Sequence, residues 1–511
     1  MPEPATVDQL VRFRAARDGS KPMVIDPDYR IDYRQLDSTT RDLAAALVEA
    51  GIGKGTRVGL IMPNNVRWVQ VAMAVTRIGA VLVPLSTLLA PGELIAQLRT
   101  ASVQFLLSVE EFRGHRYIDG LPPAWQTELP ALRQVWTVEQ LDDASATPPA
   151  RQIVDAMTET VTAADLMVIM FTSGSSGAPK GVMHSHGSAL GAVRSGLAAR
   201  CITADTRLYL PMPFFWVGGF GSGILSALLA GATLVTEEIP RPETTLRLLE
   251  SERVTLFRGW PDQAETLARY AHAVGADLSA LQAGSLQALL PPELRAQPGA
   301  RAALFGMTEA FGPYCGFPAD TDMPAAAWGS CGKPFAGMEV RIVDEDGRPV
   351  AAGTAGMIQI RGPHTLRDIC GRSREEVFTA DGFYPTGDLG HLDEDGFLFY
   401  HGRADDMFKV SGATVYPSEV ERALRTIDGV DNACVTNVPG TAGERVGAAV
   451  VGGLDGEQLR DRARMLLSAF KVPTVWLLLE SDDDLPRGGT GKVDTRRLRE
   501  MLIEAGTQRG R

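Results

Sequence analysis

Residues 171–181 read Phe-Thr-Ser-Gly-Ser-Ser-Gly-Ala-Pro-Lys-Gly, a run of small and hydroxyl-bearing residues that ends in one lysine. With little side chain at Gly174 and Gly177, successive backbone N–H groups can converge on an anion, and Thr172, Ser173, Ser175 and Ser176 add hydroxyl donors. Lys180 supplies a point charge suited to phosphate. No G-x-x-x-x-G-K-[ST] spacing can be drawn through the run, so it is not a Walker A loop. A flexible linker of the same composition would not stand between an apolar strand, Leu166–Phe171, and the apolar start of Val182-Met183-His184. Further on, Glu309 in Phe305-Gly306-Met307-Thr308-Glu309 offers a hard carboxylate oxygen, although a Glu after Thr, taken alone, is more often a solvated helix start.

The elements around these residues follow from periodicity. Tyr33–Ala50 has a helical period and stops at Gly51, Val58–Met62 is an apolar strand, Val66–Ile78 is a helix closed by Gly79, and Ala80–Pro84 is a strand. Glu93–Leu98 and Phe105–Ser108 repeat the alternation, which predicts parallel sheets covered by helices on both faces. The Gly-rich run then lies at the carboxyl end of a strand, where open α/β sheets bind ligands. From about residue 338, alternating apolar and polar residues around Asp-Gly turns predict a small subdomain of antiparallel hairpins. Beyond Arg403 a small α+β segment is expected: helix 418–426, strands near 430–437 and 446–452, helix 457–469, strand 474–480 and basic helix 494–505. The expected division is 1–403 and 404–511.

Composition sets limits. The 511 residues carry a net charge of −12, which argues against a nucleic-acid partner, since phosphate backbones need a basic surface. Residues 211–236 contain no charge, but Pro211, Pro213 and five glycines interrupt them. A loop, a helix Ser222–Ala230 stopped by Gly231 and a strand Ala232–Thr236 are expected there, rather than an integral membrane segment. The charged amino terminus has no signal-peptide apolar core, and the five cysteines show no C-x-x-C spacing, so a cytoplasmic protein with reduced thiols is expected. His184-x-His186 lacks an accompanying ligand cluster and reads as structural; Arg496-Arg497-Leu498-Arg499 reads as a solvated helix face.

The segments now form an ordered set. Residues 171–181, Phe305–Glu309, Tyr384-Pro385-Thr386-Gly387-Asp388, Gly402–Gly412 and Pro486–Lys492 resemble, in order, the signatures of the adenylate-forming superfamily of acyl- and aryl-CoA synthetases, luciferases and peptide-synthetase adenylation domains. The resemblance runs from about residue 20 to 500. It implies a large N-terminal AMP- and acid-binding domain and a small mobile C-terminal lid, with Asp405 as hinge. It also implies ATP, Mg²⁺ and CoA as cofactor and co-substrates. Residues 172–177 and Lys180 would hold phosphates, Phe305 would face the adenine, Gly306 would belong to the ATP site, and Thr308 would donate to the α-phosphate. Glu309 would bind the metal. Asp388 would accept from the ribose hydroxyls and Arg403 would bind ribose or phosphate. Lys492, in a loop with Gly488, Gly489 and Gly491, would meet the carboxylate and α-phosphate as the anhydride forms. Lys409 and Gly412 would line the CoA channel.

The implied reaction is ATP-dependent joining of a carboxylic acid to CoA through acyl-AMP. The acid should be apolar, because Phe215, Trp216, Gly219, Phe220, Gly221, Gly284, Leu286 and Phe311 are the expected lining and no basic residue stands out for a second carboxylate. Medium-chain, alicyclic and aryl acids stay open, as does a homodimer. Two rivals stand beside it: loading of a carrier protein's pantetheine, and an inactive acyl- or nucleotide-binding paralogue. Three departures from the family pattern stand out: Phe214-Phe215-Trp216-Val217-Gly218-Gly219 lacks the usual His, Met357 replaces a Glu, and no G-Y-W segment occurs around Leu366–Arg372.

Overall fold

Helices form where an apolar face meets a cap. Tyr33–Glu49 starts at Asp32, whose carboxylate accepts from the Gln35 N–H (2.7 Å) while the Gln35 amide oxygen accepts from the Asp32 N–H (3.1 Å). Val66–Arg77 starts at Asn65, which accepts from the Trp68 N–H at 2.8 Å, and Gly79 follows it with φ +73°. A computed structural model of the chain describes residues 3–142, 147–172, 179–404, 406–410, 413–440, 443–467, 469–488 and 492–508. It divides into two compact units, residues 1–340, 360–384 and 396–398, and residues 341–359, 385–395 and 399–511.

In chain order the first strands are β1 Pro22–Ile25, β2 Arg30–Asp32, β3 Arg57–Ile61, β4 Val81–Pro84, β5 Phe105–Ser108 and β6 Gln134–Thr137. There follow β7 Leu166–Thr172, β8 Lys180–Ser185, β9 Arg207–Tyr209, β10 Thr233–Val235, β11 Leu256–Phe257, β12 Phe305–Met307 and β13 Gly312–Gly316. Next come β14 Lys333–Pro334, β15 Glu339–Val343, β16 Gly356–Arg361, β17 Asp368–Ile369, β18 Tyr384–Leu392 and β19 Leu398–Arg403. The last are β20 Phe408–Val410, β21 Ala413–Val415, β22 Val430–Gly440, β23 Gly443–Gly452 and β24 Val475–Leu479.

The first unit holds two large sheets, in the orders β17-β8-β7-β4-β3-β5-β6 and β11-β9-β10-β1-β2. Side chains alternate along β7: Val168 and Met170 enter one core, which also takes in helices Tyr33–Glu49, Val66–Arg77 and His186–Ser195 and one face of the second sheet, while Ile169 enters the core on the opposite face. Ile25, Tyr209, Val235 and Phe257 fill a third core beyond the second sheet. The layering matches the expectation, but the sheets are mixed. Pairings from β7 through β4, β3 and β5 to β6 are parallel, whereas β7–β8, β8–β17 and β1–β2 are antiparallel. The Gly-rich run therefore joins a hairpin, a short connection that only antiparallel strands allow.

The uncharged segment also differs from its reading. Instead of a helix from Ser222, residues Gly218–Leu225 form a π-helix that passes into α-helix at Ser226–Ala230, with Gly231 at φ +76°. Glycines 218, 219, 221 and 223 put no side chains into the widened turns, and a Cβ on Gly219 would lie 2.1 Å from the Pro213 carbonyl oxygen. No helix among the described residues is long and apolar enough to cross a membrane.

In the second unit, β22 and β23 pair antiparallel, and β24 joins β23 in parallel. Helices Pro417–Arg425 and Gly456–Leu466 pack on one face of this sheet and Thr495–Gln508 on the other. The basic run lies on that last helix, where Arg497 pairs with Glu500 at 2.8 Å in solvent.

Candidate active site

Glu309 stands on a turn that the backbone leaves little freedom. Strands β12 and β13 form an antiparallel pair so close that a Cβ on Gly306 would lie 2.2 Å from the Gly312 carbonyl oxygen. Between them Thr308–Ala310 make one tight turn, closed by Phe311 in the left-handed region at φ +54° and by its N–H on the Thr308 carbonyl (2.9 Å). Three groups from elsewhere in the first unit hold this turn. The Leu366 N–H donates to the Glu309 carbonyl (2.7 Å), His184 Nε2 lies 2.7 Å from the Thr308 carbonyl, and the Tyr384 hydroxyl donates to Glu309 Oε1 (3.1 Å). Burial pushes the His184 imidazole down to about 4, so it is neutral at pH 7 and Nε2 carries the proton given to Thr308. Glu309 is buried, and its Oε2 has no partner among the described residues. A carboxylate with one oxygen anchored and one to spare fits Mg²⁺, which is commonly held by one or two carboxylates plus substrate phosphates and water. Among the described residues no three His, Cys, Asp or Glu side chains stand together as a metal-ligand set.

Thr172 and Lys180 pair across β7 and β8 and so clamp the two ends of the Gly-rich run. Ser173, Gly174, Ser175, Ser176 and Gly177 lie outside the described residues. Phe305 is half-buried, edge-on to Tyr314 with ring centroids 5.5 Å apart.

The second unit carries the other polar residues. Gly387, at φ +75°, turns β18 so tightly that a Cβ there would lie 2.7 Å from Arg403 Nη2. That close approach lets Arg403 Nη1 reach the Thr386 carbonyl (2.8 Å) and Asp388 Oδ1 (3.2 Å). Asp388 and Arg403, fifteen positions apart, thus form a partly buried ion pair. Lys492 is exposed; its carbonyl accepts from the Gly488 N–H (2.8 Å) and Arg487 bridges to Val493, which ties the base of its loop. Lys409 lies on β20, and Asp405 and Gly412 lie outside the described residues.

Of the residues expected to line an acid pocket, Gly221 and Phe311 meet: a Cβ on Gly221 would lie 3.2 Å from Phe311 Cε1. Phe220 and His184 lie edge-on to the same ring, at 6.2 and 4.9 Å. Phe215 touches Trp216, which stands edge-on to Trp260 at 6.0 Å. Leu286 bonds through its N–H to the Phe257 carbonyl (3.1 Å) and packs in the core beyond the second sheet, while Gly284, at φ +96°, faces Ala319. Sequence reasoning gave no role to Tyr384 or His184. Tyr384 lay inside a recognised motif, where a buried phenol always wants a polar partner. His184 reads from the sequence as structural and is buried, and its partner is the carbonyl of Thr308, one of the expected site residues.

Comparison with known proteins gives the family and the fold. Residues 11–369 match the AMP-binding enzyme family. A 3-[(3aS,4S,7aS)-7a-methyl-1,5-dioxo-octahydro-1H-inden-4-yl]propanoyl:CoA ligase of Mycobacterium tuberculosis is 33% identical over 521 aligned positions, covering 98% of each chain. A feruloyl-CoA synthase of an Amycolatopsis species is 31% identical, covering 91% of this chain and 92% of the other. The solved anthranilate CoA ligase in complex with anthranoyl-AMP shares the fold, with TM-score 0.82, 22% identity and 99% coverage of both chains. The chain belongs to the AMP-binding enzyme family. Within that family it is an AMP-forming carboxylic acid–CoA ligase.

Proposed function

We propose that this ligase activates an acid with a largely apolar body, in the medium-chain, alicyclic or aryl range, in two half-reactions. In the first, a carboxylate oxygen attacks the α-phosphorus of ATP and pyrophosphate leaves. In the second, the CoA thiol attacks the acyl carbon and AMP leaves. The observation that carries the reading is the Thr308–Glu309 turn, pinned by His184, Leu366 and Tyr384. A turn held this rigidly keeps the Thr308 hydroxyl and the Glu309 carboxylate preorganised for a phosphate chain. When bound, Mg²⁺ on Glu309 would neutralise phosphate charge. The Gly-rich run, Thr172–Lys180, would cradle the phosphates, and Asp388 and Arg403 would hold the ribose.

Residues 404–511 would act as a lid turning about Asp405. Lys492 would serve adenylation, and the Lys409–Gly412 strip would serve the thiol step. The aromatic groups Phe215–Trp216–Trp260 and Phe220–Phe311 support the apolar lining. Five free cysteines support a reducing, cytoplasmic setting. The test is a panel of acids read by pyrophosphate release, with CoA, with a holo-carrier protein and with neither. Thioester formation on CoA is expected; acyl transfer to the carrier alone would overturn the CoA assignment.

A further inference from the structure

The segment after β11 carries polar groups that the reaction above does not use. Arg258 follows the strand directly and donates from Nη2 to the Arg200 carbonyl (3.0 Å). Its Nε is buried and has no hydrogen-bond partner among the described residues. On the helix Pro261–Val274, Gln263 Oε1 is likewise buried without a partner. The two flank Gly259, on which a Cβ would lie 3.2 Å from Gln263 Oε1 and 3.2 Å from Pro211 Cγ. Arg200, the neighbouring buried arginine, is different. It bonds to the Gly196 and Val193 carbonyls and to Ser226 Oγ, and so caps the helix His186–Ser195. Its role is structural and complete. Arg258 and Gln263 instead leave a buried donor and a buried acceptor unmatched, an arrangement that folded proteins avoid unless something else fills it.

Position says what fills it. Pro211 opens the segment that runs to Trp216 and Phe220, Trp216 stands on Trp260, and the Phe257 carbonyl accepts from the Leu286 N–H. Arg258 and Gln263 therefore lie where the two proposed pocket segments, 215–221 and 284–286, come to the end of one strand. We propose that Arg258 and Gln263 read an oxygen on the body of the acid, so that the preferred substrate is a carboxylic acid whose apolar skeleton carries a ketone or hydroxyl. This inference rests on the acid-ligase reading and its pocket. A ketone accepts from Nε–H; a hydroxyl can accept there and also donate to an amide oxygen such as Gln263 Oε1. A second carboxylate fits less well, because an amide oxygen opposes its charge and Arg258 has already committed one Nη to a backbone carbonyl.

The experiment uses the purified full chain with matched acids: 3-cyclohexylpropanoate, its 4-oxo and 4-hydroxy derivatives, and the 4-carboxy derivative, each read as kcat/KM for pyrophosphate release. The wild type is expected to favour an oxo or hydroxy acid over the parent by about tenfold or more, since a site that leaves polar groups unpaired rejects the analogue lacking the partner. Arg258→Met should bring that ratio down toward one, Arg258→Lys should keep part of it, and Gln263→Leu should lower it for the hydroxy acid. A merely structural role would depress all acids alike and leave the ratio unchanged, which would overturn the proposal. So would a preference for the parent or for the 4-carboxy acid. If Arg258→Met does not fold, the Gln263→Leu ratio decides. Absence of pyrophosphate release with every acid would instead sink the ligase reading itself.

Discussion

Tyr384→Phe removes one oxygen and little else. The ring keeps its edge contact with Phe378 at 6.2 Å, so the fold should persist. What goes is the hydroxyl that donates to Glu309 Oε1 at 3.1 Å in a buried setting. A hydrogen bond to a charged group is worth about 1.5–3 kcal/mol, which is roughly 10- to 100-fold in a rate constant. If that bond aims the carboxylate at the metal–triphosphate, kcat/KM for ATP should fall by about that factor and the Mg²⁺ concentration for half-maximal rate should rise. Pyrophosphate release at saturating acid, titrated separately in ATP and Mg²⁺, measures both. Thioester formation from supplied acyl-AMP should be spared. The reasoning is refuted if Tyr384→Phe leaves both titrations unchanged while Glu309→Gln abolishes the rate, because the anchored oxygen would then be irrelevant to the carboxylate's task.

Gly221→Ala puts a methyl 3.2 Å from Phe311 Cε1 and should shift the acid profile toward smaller acids, whereas Gly219→Ala clashes with the Pro213 carbonyl and should cost about 1–3 kcal/mol of stability in a urea melt; equal behaviour of the two would contradict the placement. His184 and His186 are both pushed by burial from 6.5 to about 4. Between those values the unfolded chain takes up protons that the native chain refuses, so stability should be complete above pH 6.5 and drain away as pH falls toward 4, by up to about 3 kcal/mol per histidine. The urea midpoint at pH 7.5 and 4.5 reads this, and His186→Gln should flatten the slope; an unchanged slope would count against it. Lys492→Ala should slow pyrophosphate release by about 10²–10³ and spare acyl-AMP consumption with CoA, while Gly412→Leu should do the reverse. Loss of the same half-reaction in both variants would rule out separate roles.

Local signals carried much of the fold. Phe105–Ser108 is a strand at the expected residues, because a continuous apolar run between polar turns has few other uses in a buried sheet. Tyr33–Glu49 and Val66–Arg77 end within a residue of the expected positions, since Gly51 and Gly79 supply the positive φ that stops a helix. Periodicity was silent on strand direction, which is why β8 came as an antiparallel neighbour of β7. On Gly218–Leu225 it pointed to a loop and a helix from Ser222, whereas the chain forms a π-helix that brings Gly219 close against the Pro213 carbonyl. For the candidate site, motif residues such as Glu309, Asp388 and Arg403 stand out through their order in the chain. Their supports do not: His184, Leu366 and Tyr384 reach Thr308 and Glu309 across dozens to more than a hundred positions, and such long-range pairs leave no trace in spacing.

The central claim is that this chain cleaves ATP between the α- and β-phosphates at the expense of a carboxylate. The most direct measurement is a nucleotide analysis of single reactions containing enzyme, Mg·ATP and an acid the enzyme accepts, with and without CoA. The account predicts pyrophosphate and enzyme-bound acyl-AMP without CoA, then stoichiometric AMP, pyrophosphate and acyl-CoA when CoA is added. ADP and inorganic phosphate as the products would contradict it.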